Sequence, residues 1–133
     1  MMKIPLAPAE NRVWKIDEES FEKLKSGKIR TIIKVGLSSV RETNERDTIS
    51  FFGREGEFIV KRKEKYPDFL ECLSREKLEL IDPEKDADTL LKELRKRYPR
   101  TQEHFGVYAF ELVSFERNQK PVARIINNSA VAK

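Results

Sequence analysis

Residues 20–35, SFEKLKSGKIRTIIKV, change their periodicity half-way, and the fold turns on that change. Phe21 and Leu24 stand three apart, as on one face of a helix, whereas the β-branched residues after Gly27 favour a strand. Asp17 is placed to cap the helix, and Glu18 and Glu19 suit the positive end of its dipole. Ser26-Gly27 is the stop, since glycine takes the left-handed conformation that commonly ends a helix. Gly27 is therefore punctuation; no GxxxxGK[ST] surrounds it, and a P-loop is excluded. In the following strand, Ile29 to Val35, alternation sets Lys28, Arg30, Ile32 and Lys34 on one side and Ile29, Thr31, Ile33 and Val35 on the other. One side of this strand is expected to be basic.

Outward from this hinge, Val13 to Ile16 reads as a short strand, and Gly36 to Glu45 as a polar, mobile loop carrying Arg41, with Arg46 just beyond. Asp47 to Phe52 and Glu57 to Lys63 read as a hairpin around Gly53 to Gly56, with Ile49, Phe51, Phe58 and Val60 as core. A short helix over Asp68 to Ser74 would bury Phe69, Leu70, Leu73 and Cys72. A second helix begins at Asp82-Pro83 or at Asp88, carries Leu90, Leu91, Leu94 and Tyr98 on one face, and ends before Pro99. His104 to Glu116 alternates Tyr108, Phe110 and Leu112 against Val107, Ala109 and Val113 and should be the longest strand. The order β, α, β, β, β, α, α, β gives an α+β domain with a mostly antiparallel or mixed sheet and one long helical crossover before the last strand. Its boundaries are an N-terminal segment over 1–12, the domain over 13–116, and an extension over 117–133 with one possible strand, Val122 to Ile126.

The 133 residues suffice for one core, and 38% of them are charged, with a net charge of +4. That balance permits an anionic partner without demanding one. Lys23, Lys25, Lys28, Arg30 and Lys34 form one basic concentration and Lys61-Arg62-Lys63-Glu64-Lys65 another; each alone is ordinarily solvated surface, but two on one small domain suggest a shared face. Cys72 is the single cysteine and His104 the single histidine, which removes an internal disulfide and a Cys/His zinc site. No apolar run approaches the ~20 residues of a membrane span, and the first residues lack a secretory h-region, so the reading is a soluble cytoplasmic protein with neither cofactor nor membrane.

Asp82, Glu84, Asp86, Asp88 and Glu93 match the carboxylate positions of a twelve-residue calcium loop, but Ala87 fills the position that needs glycine and Pro83 stands second. An acidic helix start is the better reading. His104 has no nucleophile beside it in sequence. Tyr66, Phe69 and Tyr108 stand near basic residues, an arrangement that can stack bases, although such aromatics more often build core.

Taken in order, SFEKLKSGK, RDTISFF, Tyr66-Pro67-Asp68-Phe69-Leu70 with Glu76, LLKELRKRYP and HFGVYAFEL resemble the ASCH domain, a branch of the PUA-like superfamily, over about Val13 to Glu116. The resemblance implies a small β-barrel-like sheet beside a cleft, and a function with RNA or modified nucleosides; the family includes RNA-binding modules, a ribonuclease and an N4-acetylcytidine amidohydrolase. Its GxKxxExR pattern, laid without gaps, falls on Gly27, Ile29, Ile32 and Lys34, so only the glycine and the last positive charge survive. Isoleucine can neither move a proton nor attack a carbonyl. A one-residue insertion would instead bring Arg30 and Thr31 onto the family's Lys and Thr, and arginine is a poor general base. The family's Gly-Asp before the third strand is Arg46-Asp47 here. The resemblance implies a binding module for single-stranded RNA or a modified nucleotide, with phosphate at Lys28, Arg30, Lys34 and Arg41 and a base on Tyr66 or Tyr108. The alternatives are a hydrolase with a rearranged site using Lys34, Glu84 and Tyr98, and an accessory domain whose basic face meets an acidic protein.

Overall fold

The computed structural model describes residues 10–115. In chain order the elements are β1 (Asn11–Trp14), α1 (Glu18–Lys25), β2 (Thr31–Val35), α2 (Ser38–Glu42), β3 (Thr48–Phe51), β4 (Glu57–Tyr66), α3 (Phe69–Arg75), α4 (Leu78–Ile81), α5 (Ala87–Arg97), α6 (Arg100–Glu103) and β5 (Val107–Phe115). The strands form one mixed sheet, ordered β1-β3-β4-β5-β2, in which β1 runs parallel to β3 and the other pairs are antiparallel. The α+β class expected from the sequence is the class observed.

Alternation along β5 explains the two cores. Tyr108, Phe110 and Leu112 point to one face, where they join Trp14, Ile49, Phe51, Phe58 and Val60 beneath Phe21 and Leu24 of α1. Val107 and Ala109 point to the other, where Ile33 and Val35 of β2 meet Phe69, Cys72 and Leu73 of α3 and Leu90 and Leu94 of α5. The sheet curls toward α1. Trp14 on β1 meets Phe110 edge-on at 5.1 Å, and Lys34 on β2 holds its ammonium 5.0 Å from the centre of the same indole. An irregular register between Val60 and Arg62 bends β4 at the centre of this curl, as a bulge does.

The helix starts follow local chemistry. Asp17, Asp68 and Asp86 each accept the amide N–H three residues on, from Ser20, Glu71 and Thr89, at 2.8–2.9 Å. Gly27 closes α1 at φ +83°, the left-handed backbone its position anticipated. Asp86 therefore caps α5, in place of the expected Asp82 or Asp88. The Asp82 carboxylate instead accepts the Glu84 amide and faces Lys23 and Lys85.

Other expectations need correction. The supposed loop after Gly36 contains α2, held by buried Val40 and by Thr43 Oγ1 donating to the Ser39 carbonyl. The crossover contains four helices rather than two, because α4 and α6 are single turns too short to show a period. Leu70 is 60% exposed, since α3 turns only Phe69, Cys72 and Leu73 inward. Strand β4, with 10 residues, outlasts the nine described in β5. The possible strand over Val122 to Ile126 lies outside the described residues.

One polar lock ties β4 to β5 and α3. The Glu76 carboxylate, 3% exposed, accepts both terminal nitrogens of Arg62, at 2.6 and 3.1 Å, and the Tyr66 hydroxyl, while Arg62 Nε donates to Glu111 at 3.2 Å. Burial would raise the Glu76 carboxyl, but Arg62 and Tyr66 together hold it below its ordinary value. Glu76 thus binds its proton less readily when folded than when unfolded. Its contribution to stability is present above the unfolded value of 4.5 and is lost as pH falls through the lower folded value. Removing one partner strands the others, so Glu76→Ala should lower unfolding free energy at pH 7 by about 3 kcal/mol in urea titrations, with the difference shrinking in acid.

Candidate functional site

Because the sheet does not close, β1 and β2 face one another across a seam. Lys15, Ile16, Asp17 and Ser20 form one bank, and Ile32 to Lys34 with Arg97 and Tyr98 form the other, around a cleft of about 330 Å³. A narrower recess of about 110 Å³ adjoins it under α5, sharing Ser20, Ile32, Ile33 and Arg97 as walls. Apolar residues make the recess floor, and Asp82, Lys85, Glu93 and Arg97 ring it. Thr31, only 2% exposed, is among the lining residues, and its buried hydroxyl has no hydrogen-bond partner among the described residues.

Lys34 is the distinctive charge. It is half-buried, it lies over Trp14, and no carboxylate among the described residues stands within ion-pair distance of it. Burial, reinforced by the positive charge of Arg97, pushes its ammonium below the ordinary lysine value. Asp17 contributes the bank's negative charge, but its carboxylate is engaged: burial would raise it, and hydrogen bonds at Ser20 with the charge of Arg97 hold it low. Burial raises the Tyr98 hydroxyl against the influence of Arg97, so it remains a protonated donor. Against the single charge of Asp17 stand Lys15, Lys34 and Arg97, which leaves the outer cleft net positive.

The residues picked from sequence disperse. Lys34 and Tyr98 share the cleft. Glu84 does not join them; it accepts from Lys28 at 3.0 Å beyond the recess, with Lys23 nearby. The expected single basic side of β2 breaks at its start. The backbone N–H of Arg30 bonds Leu80, and its side chain enters a separate groove with Arg62, Tyr66, Glu76 and Glu111. In that groove Tyr66 donates to Glu76, and Arg30 lies 4.0 Å from Glu111. Arg41 donates to the Gly36 carbonyl at 2.6 Å. Tyr108 is 5% exposed, stacked on Phe110 and overlain by Lys63 and Lys65, so its ring is core and not an open stacking platform. Cys72 is buried, and its thiol is pushed up to about 12 chiefly by burial, as befits an inert filler.

Sequence reading missed Lys15, Ser20 and Arg97. Arg97 was within reach: Leu90, Leu94 and Arg97 are spaced four and three apart, so the arginine continues the apolar stripe of α5 toward the sheet.

Comparisons with solved structures place the fold among small proteins of similar size. The crystal structure of hypothetical protein PH0355 superposes with a TM-score of 0.74 at 27% identity, over 80% of this chain and 99% of that one. The solution structure of protein PF0455 from Pyrococcus furiosus gives 0.68 at 28% identity, over 80% and 98%. No family model matches the chain, and no curated protein does.

A half-buried ammonium without a counter-ion has a stability consequence. Lys34 releases its proton at a lower pH when folded than when unfolded. Between those two values the unfolded chain holds more protons, so stability rises with pH through that window, and the cost of the charge is present at neutral pH. Lys34→Met keeps length and a sulfur contact to Trp14 while removing the charge. It should raise Tm at pH 7 by a few degrees, the scale on which ~1 kcal/mol acts in a domain this size, and the gain should shrink in alkaline buffer. A lower Tm at pH 7 would show that the ammonium is already compensated.

Proposed function

We propose that the chain is an RNA-binding module of the ASCH, PUA-like kind, which receives a phosphate of single-stranded RNA or of a modified nucleotide in the cleft between β1 and β2. The observation that carries this reading is the half-buried, uncompensated ammonium of Lys34 beside Arg97. A cation held there without a ligand costs stability, and an anion entering the cleft recovers that cost. The adjoining recess supports a nucleotide over a bare phosphate. It is apolar below and ringed by Asp82, Lys85, Glu93 and Arg97, a combination suited to the flat face and hydrogen-bonding edge of a base. The resemblance of the sequence to the ASCH domain points the same way. Lys28 and Arg30 have lesser roles in this reading, one paired with Glu84 and the other in a different groove.

Fluorescence anisotropy with a labelled single-stranded RNA, at two salt concentrations and against DNA of the same sequence, tests it. RNA should bind more tightly than DNA, and affinity should fall as salt rises. Lys34→Met and Arg97→Ala should each weaken binding about tenfold, whereas Lys28→Ala should change it little. Anion binding favours the charged form of Lys34, so affinity should also fall with rising pH before it would for an ordinary lysine. Equal competition by heparin, with no loss in Lys34→Met, would favour an acidic protein partner instead.

A further inference from the structure

At the end of the sheet next to Lys34 lies a second group of cations. The register sets Lys34 beside Tyr108 and Tyr108 beside Lys65, and Lys63 beside Phe110, so all three lysines share the face of the seam. The ammonium groups of Lys63 and Lys65 stand 5.3 and 5.9 Å from the centre of the Tyr108 ring. Lys63 Nζ donates to the Arg41 carbonyl at 2.8 Å, and the Arg41 guanidinium is anchored on the Gly36 carbonyl. Among the described residues no carboxylate forms an ion pair with Lys63, Lys65 or Arg41. The nearby acids are occupied: Glu45 accepts the Lys63 backbone amide, and buried Asp47 accepts from Glu10 and Asn44 and faces Arg12.

An aromatic side chain stands open beside these charges. The Gly36 N–H donates to the Gly106 carbonyl at 2.8 Å, and a Cβ on Gly36 would lie 2.5 Å from the Phe105 carbonyl oxygen, so only glycine lets the two connections meet. Lys65 crosses this junction, its Cε 3.1 Å from where a Cβ on Gly106 would stand. Phe105, immediately before Gly106, is 49% exposed. An exposed aromatic one residue from the glycine that Lys65 crosses, with lysines that no carboxylate pairs, is the combination that stacks a base and holds its phosphate without regard to sequence. Lys34 and Lys65 lie on strands either side of β5, with backbones roughly 10 Å apart across two strand spacings, and their ammonium groups rest over different rings, Trp14 and Tyr108.

We propose that Phe105 with Lys63 and Lys65 forms a second nucleic-acid contact at the lip of the seam, stacking one base and holding one backbone phosphate, so that the ligand is a strand of linked nucleotides and not a free nucleotide. This rests on the reading of the Lys34 cleft as a nucleotide site, yet it involves different residues and can fail separately.

The test compares uridine monophosphate with a labelled single-stranded RNA hexamer on the full chain, using Phe105→Ala, Lys65→Ala, Lys34→Met and, as a surface control, Lys92→Ala. The hexamer should bind at least tenfold more tightly than the mononucleotide. Phe105→Ala should weaken the hexamer about tenfold and leave the mononucleotide unchanged. Lys65→Ala should make the log–log salt dependence shallower by about 0.7, the share of one single-strand phosphate, and Lys92→Ala should do neither. Phe105 and Lys65 are both exposed, so Tm should stay at the wild-type value. If hexamer and mononucleotide bind alike and the lip variants have no effect while Lys34→Met does, the lip proposal is wrong and the cleft stands. If the lip variants weaken binding and Lys34→Met does not, the lip stands and the cleft fails. Absence of binding by either ligand overturns both.

Discussion

Trp14 sits on the outermost strand at one end of the sheet, yet its ring packs edge-on against Phe110 and lies beneath Lys34, which belongs to the outermost strand at the other end. Four steps between strands, each twisted by about 20–25°, accumulate on the order of 90°, and the bulge near Lys61 adds to the bend of β4. That curl brings the edges together without letting their backbones pair. The aromatic cluster of Phe21, Phe51, Phe58 and Phe110 then fills the hollow, with α1 as its lid. The cleft is the unfilled part of this hollow, so its position is a consequence of how the core closes.

Lys34 makes the hollow chemically unusual. On the register of β2 it follows Ile32 on the same face, a position that packing alone would give to another apolar residue. Its charge is softened by the quadrupole of the indole, which is worth far less than a carboxylate would be. Proteins retain unfavourable local choices of this kind mainly where a ligand or a reaction needs them. The same reasoning marks Thr31: a valine would fill its place without an unpaired hydroxyl.

Long periodic stretches were legible from sequence because one dominant interaction fixed each. Asp17 and Gly27 bracket α1 as their side chain and backbone freedom require, and β5 divides its residues between the two cores as alternation demands. Short elements were not. Helices α2, α4 and α6 complete too few turns for a period, and each owes its conformation to tertiary neighbours. Arg46 takes φ 77° although it is not glycine; its amide bonds Val60 across the sheet, and that pairing outweighs the backbone preference. Of the site, Lys34 was legible as an alternating charge, but its burial depends on Trp14, twenty residues upstream. The split between Arg30 and Lys34 depends on where pairing with β5 begins, which alternation within one strand does not reveal.

The distribution of partners among the basic residues matters more than the net charge of +4. Outside the seam several cations are paired with carboxylates: Arg62 with Glu76 and Glu111, Arg95 with Glu103, Lys23 and Lys85 with Asp82, Lys28 with Glu84, and Arg75 with Glu71. Two of these pairs are also structural, since buried Glu103 accepts the Phe69 amide at the start of α3 while receiving Arg95, and Glu76 joins β4 to α3. The lysines facing the seam, Lys34, Lys63 and Lys65, are left with aromatic rings and one backbone carbonyl for company. An almost balanced composition therefore still leaves the lysines of the seam face without a carboxylate among the described residues, because acids such as Glu76, Asp82 and Glu103 are engaged in joining helices to their neighbours. Glu76 and Glu103 are committed to Arg62, Tyr66, Arg95 and the Phe69 amide, so the contacts that stabilise the fold also keep these two acids away from the seam lysines.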